Sequence, residues 1–151
     1  MERKQKPDTY IEPMPRSDFL RLMREFKKIG GKYVSSKESE EYLQKKNAEA
    51  ITVDGYTIVF KRRPTRAAVY EELFHAKQFR EGKIDGSVRN RIVCEIEAQK
   101  YLLDNADNFK LSAPEIIHTR DLLKGYEEAL AKREEVSHDD MQCFRLHADR
   151  R

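Results

Sequence analysis

The stretch Tyr70-Glu71-Glu72-Leu73-Phe74-His75-Ala76-Lys77-Gln78 brings carboxylates and an imidazole together at a spacing suited to metal chemistry. On a helix, Glu71 and His75 stand four residues apart and leave the same face one turn from each other. Such a pair chelates. Glu72, one position along, leans over the same site without competing for a ligand position, and a carboxylate placed there can act as a general base. A ligand set that includes carboxylate oxygen is hard: zinc accepts it, and it also suits manganese or iron.

A metal ion needs at least three protein ligands, so a further donor must come from a neighbouring element. The segment Glu95-Ile96-Glu97-Ala98-Gln99 supplies carboxylates about twenty residues beyond His75, far enough for a helix to run out and another to come back at ~1.5 Å per residue. A short turn around Gly82 to Gly86 would make the two helices antiparallel neighbours, with Glu95 facing His75.

The other elements follow from periodicity and caps. Residues 1–16 form an extended basic arm holding Pro7, Pro13 and Pro15, with Tyr10, Ile11 and Met14 available to dock it. Ser17 is placed to cap a helix over 18–29, whose stripe of Phe19, Leu20, Leu22, Met23, Phe26 and Ile29 ends at Gly30-Gly31. Ser36 caps a more polar helix from Lys37 to about Lys46. Two β-branched and aromatic runs around Asp54-Gly55 predict a hairpin over Ile51–Phe60. Thr65 caps the helix that carries Glu71 and His75, and Ser87 caps a long helix to about Ala106. Ser112-Ala113-Pro114-Glu115 reads as a capping box opening a last helix to about Glu134. Residues 17–136 then make one domain, followed by a polar and basic tail over 137–151.

Composition narrows the classes. The 151 residues suit a single core. Thirty basic side chains against twenty-seven acidic ones, with both signs interspersed, give no reason to expect nucleic acid as a partner. No apolar run approaches the roughly 20 residues of a membrane span, and the amino terminus lacks the apolar core of a signal peptide. The expected location is the cytoplasm, or delivery as part of a larger secreted protein. Cys94 and Cys143 have no spacing that suggests a cluster or a disulfide framework.

Taken together, the two motifs, with a backing helix and a hairpin ahead of them, resemble the compact Glu-type zincin metallopeptidases, and among these the metallopeptidase-like toxin domains at the ends of bacterial polymorphic toxins. The resemblance covers roughly residues 18 to 105. It implies a mostly helical α+β fold with a small antiparallel sheet, a motif helix and a glutamate helix. It also implies one divalent metal, zinc or else manganese or iron, held by Glu71, His75 and Glu95. Ala98 would let the helices approach, Gln99 would support a ligand from behind, and Glu97 would point elsewhere. Glu72 would take a proton from a metal-activated water and pass it to the leaving amine. His118, Tyr101 and Tyr126 are candidates for steadying the oxyanion. The partners implied are a peptide or protein substrate, laid along a free edge of the hairpin, and an immunity protein. Glu71 departs from the motif, which has histidine there; the added negative charge makes slower hydrolysis or another metal the expectation.

Two other readings use the same residues. Glu72-x-x-His75 and Glu115-x-x-His118, with Glu25 and Glu95, imitate the ligand set of a di-metal carboxylate bundle. Alternatively, the fold is a catalytically inactive interaction module whose Glu71, Glu72 and Glu95 face solvent or a basic partner.

Overall fold

Phe19, Leu22, Met23 and Phe26 recur at helical spacing, and in a computed structural model that describes residues 10–135 they form the inner face of α1 (Arg16–Lys28). Arg3–Lys6, Cys143 and the tail over 137–151 lie outside the described residues. The helix begins before Ser17. Pro15 takes the cap position without a side-chain bond, and its carbonyl accepts Phe19 N–H at 3.1 Å. Proline already has a φ suited to this place and lacks only an N–H the helix does not use, so no serine cap is required. The helix stops where Gly31 lets the chain cross the Phe26 ring, since a Cβ there would lie 2.5 Å from it.

Lys32–Ser35 then forms a strand, β1, that the sequence reading leaves as connection. Helix α2 (Lys37–Lys45) follows, capped by Ser36 with Ser39 returning the bond, and then strands β2 (Ala50–Asp54) and β3 (Thr57–Phe60). The sheet order is β1-β3-β2, with β2 antiparallel and β1 parallel to β3. The expected antiparallel sheet is thus a mixed one. Four residues, two of them Lys32 and Ser35, are too few and too polar for periodicity to mark β1; it exists because β3 offers it an edge.

The inner face of the sheet presents Ala50, Ile58 and Phe60 to α1, where Phe19 meets Phe60 and Tyr33 edge to face at 5.4 and 5.5 Å. Val69 and Ala76 close this core from α3 (Arg66–Arg80). Gly55 serves the hairpin by making room. A Cβ there would sit 2.5 Å from Arg80 Cγ, and Arg80 Nη1 donates to the Gly55 carbonyl at 2.6 Å. The inner end of the amino-terminal arm is built in as well: Met14 is buried and donates its N–H to Pro64 O at 2.8 Å.

Thr65 caps α3 by accepting Ala68 N–H. The helix ends at Gly82, whose φ of 70° allows Lys83 N–H to bond back to Gln78 O and Gly82 N–H to Phe79 O. After this turn come α4 (Val88–Asp104), capped by Ser87, and α5 (Ala113–Glu135). Helix α3 lies between β2 and α4, and α4 packs on α5. The α+β architecture with a mostly helical body is as expected. Among the described residues no helix is long and apolar enough to cross a membrane.

Glu115 joins two helix starts. Its Oε1 accepts Ser112 N–H at 3.2 Å within the capping box of α5, and its Oε2 accepts Ala67 N–H at 2.7 Å in the first turn of α3. Glu115→Ala removes both caps, and at roughly 1 kcal/mol each a loss of about 2 kcal/mol is expected. Urea denaturation followed by circular dichroism should show this, with Ser112→Ala losing about half as much because the bond to Ala67 survives.

Candidate metal centre

Three pairs across the α3–α4 seam show how the sequence lines up. Glu71 meets Gln99, His75 meets Glu95, and Gln78 meets Cys94. Numbers rise on one helix as they fall on the other, so the helices are antiparallel, as the short turn between them requires. Ala76 and Ala98, both fully buried, supply small side chains to these two helices.

His75 sits at the middle of the seam with 1% of its side chain exposed. Its Nε2 lies 3.1 Å from Glu95 Oε1 and 3.5 Å from Glu71 Oε1. Glu71, Glu72 and His75 converge to within 4.8 Å of one another, a group able to hold a metal ion. Among the described residues no other His, Cys, Asp or Glu cluster does so. Glu95 reaches the same imidazole nitrogen from α4 without joining that trio.

The proton on the imidazole can be assigned from its surroundings. His75 Nδ1 is 2.7 Å from Gln78 Oε1, while Gln78 Nε2 donates to the Cys94 carbonyl and to Glu97 Oε2 at 3.0 and 3.2 Å. These two acceptors fix which end of the amide is nitrogen, so Gln78 offers oxygen to the ring and Nδ1 carries the hydrogen. Nε2 is then turned toward Glu71 and Glu95. A neutral ring would set its lone pair against carboxylate oxygens, and a cation between them, a proton or a metal ion, removes the conflict. Carboxylate oxygens and one imidazole nitrogen make a donor set that can hold a metal ion.

Neutral donors reach two of the carboxylates. Gln99 Nε2 donates to Glu71 Oε1 at 3.2 Å, on the oxygen that faces His75. Thr52 Oγ1, on β2, lies 2.9 Å from Glu72 Oε2. Glu97, expected to point elsewhere, meets Gln78 and so still supports the site from its edge.

Glu71 and Glu72 open onto a cleft of about 790 Å³. Its walls include Ala50 at the start of β2, Leu102 of α4, and His118, Leu122 and Tyr126 of α5. Two of the three oxyanion candidates, His118 and Tyr126, thus share the cleft with Glu71 and Glu72. Tyr101 does not line it. That ring stacks on Phe74 at 4.4 Å and meets Phe109 edge-on, and burial, with Tyr70 adding to it, raises its phenol above the ordinary value. The di-metal ligand set does not assemble: Glu25 lies at the surface paired with Lys28 at 3.0 Å, and Glu115 is engaged as a double cap.

Gln78 and Thr52 are the site residues that sequence reasoning passes over. Gln78 has a signal, three residues after His75 on one helical face. Thr52 has none, because only the packing of β2 on α3 brings it to Glu72. Compared with known proteins, the chain matches no family model, no curated protein and no solved structure.

If Gln78 sets the ring, Gln78→Leu should weaken the binding of an added divalent metal ion about ten- to a hundredfold. Competition with a chromophoric chelator measures this, and unchanged affinity would remove Gln78 from the site.

Proposed function

We propose that the protein is a zincin-like metal-dependent peptidase domain, of the kind found as toxin domains in bacterial polymorphic toxins. In this reading Glu71, His75 and Glu95 hold one divalent ion, zinc first and manganese or iron as carboxylate-tolerant alternatives, and Glu72 is the base. The observation that carries it is the placement of two carboxylates about His75 Nε2. Ligands ~2.0–2.1 Å from a tetrahedral ion stand about 3.3 Å from one another. Glu95 and Glu71 stand 3.1 and 3.5 Å from Nε2, and the two carboxylates must draw toward each other to share the ion, because the group already converged within 4.8 Å is Glu71, Glu72 and His75.

A divalent ion in this place supplies Lewis acidity toward a water and a peptide carbonyl. The chain's own residues do the rest. Glu72, 4% exposed and lining the cleft, takes the proton of the attacking water and returns it to the departing amine. His118 and Tyr126 are within the cleft to steady the oxyanion. Among the described residues strand β2 pairs only with β3, so its other edge is the one an extended peptide would join, and Ala50 brings that strand to the cleft. A toxin of this kind also calls for a neutralising partner protein. The burial of Glu72, His75 and Glu95 weighs against the alternative of a solvated acidic face for a basic partner.

Metal analysis and variants test the proposal together. Protein purified without chelator is expected to carry one metal ion per chain, lost in His75→Ala and Glu95→Gln. Glu72→Gln should keep the metal and lose peptide hydrolysis by about 10²- to 10⁴-fold. A parent chain that takes up none of zinc, manganese or iron sinks it.

A further inference from the structure

We propose that Thr52 is the positioning residue that holds the Glu72 carboxylate for proton transfer, a role that rests on the peptidase reading above. Thr52 sits on the inner face of β2, 6% exposed, and its Oγ1 lies 2.9 Å from Glu72 Oε2 and 3.0 Å from the Glu72 main-chain oxygen. Both acceptors belong to one residue. A hydroxyl has a single hydrogen and two lone pairs, so it donates to only one of them at a time and can accept as well.

That asymmetry suits a base that must be held both before and after it takes a proton. While Glu72 is a carboxylate, the threonine hydrogen points to Oε2 in a charge-assisted bond. As one water O–H bond breaks, its proton bonds to the other carboxyl oxygen, Oε1, while the threonine hydrogen keeps Oε2 in place. When the proton leaves for the amine nitrogen, the first arrangement returns, and nothing but that one proton has been exchanged.

The place of Thr52 adds a consequence. It belongs to the strand whose free edge is proposed to receive the peptide, while its bond to the Glu72 carbonyl ties that strand to the turn of α3 bearing the base. Peptide register and base position are therefore set by one piece of backbone.

Valine copies the shape of threonine without the hydroxyl; serine keeps the hydroxyl without the methyl. In Thr52→Val, zinc affinity should stay at the parent level. The kcat on a quenched-fluorescence peptide library should fall about ten- to a hundredfold with KM within about twofold, as expected for a lost bond to a charged group. Thr52→Ser should restore most of the kcat. Crystals of metal-free Thr52→Val should show the Glu72 carboxylate displaced from its parent position. Parent-like kcat in Thr52→Val, or an unmoved Glu72 carboxylate, overturns the inference alone. A parent chain that binds none of zinc, manganese and iron and cleaves no member of the library overturns the peptidase reading and this inference with it.

Discussion

Carboxylates from Glu71, Glu72 and Glu95 crowd one imidazole in the seam between α3 and α4, and three of these four groups are at most 4% exposed. Taking like charges out of water at such density is costly, and protein interiors tolerate it only where hydrogen bonds and counter-charge are supplied. Here neutral side chains donate to two of the carboxylates, Gln99 to Glu71 and Thr52 to Glu72, while His75 Nδ1–H donates to Gln78 Oε1. These donors orient the carboxylates of Glu71 and Glu72, which with His75 form a group able to hold a metal ion.

The framework around the seam keeps the crowding in register. Glu115 caps α3 and α5 at once, so the start of the motif helix is fastened to the helix that forms the far wall of the cleft. Tyr70 stacks on Phe109 at 3.7 Å and Phe74 on Tyr101, which ties the face of α3 beside Glu71 and His75 to α4 and the loop behind it. On the other side, Arg80 reaches the hairpin turn at Gly55 and Thr52 reaches Glu72, so β2 is pinned to α3 at its middle and at the turn that follows it. Aromatic contacts fill space without specifying angle closely, whereas these hydrogen bonds do specify it.

How far the sequence could be read depended on whether a signal was local. Thr65, Ser87 and the Ser112–Glu115 box marked helix starts because a cap bonds to backbone only a few residues away. Ser17 misled, since Pro15 starts the helix without a side-chain bond. Asp54-Gly55 marked the hairpin correctly, but for another reason than the usual one: the glycine makes room for Arg80, and its φ lies outside the left-handed region. Strand β1 carried no pattern of its own, and Tyr101 was misplaced because helical spacing alone cannot say which neighbour a ring meets.

The sequence by itself determined that Glu71, Glu72 and His75 share one side of a helix, because 3.6 residues per turn leaves spacing no other outcome. It also determined that a second helix with Glu95 and Gln99 returns close by, since the turn between them is short. Only the tertiary structure decided which of these groups touch: that Glu95 meets Nε2, that Gln78 orients the ring, and that Thr52 arrives from the sheet to hold Glu72. Those contacts depend on how far helices and strand approach and rotate, which is set by packing of side chains far apart in the chain and is written in no local pattern.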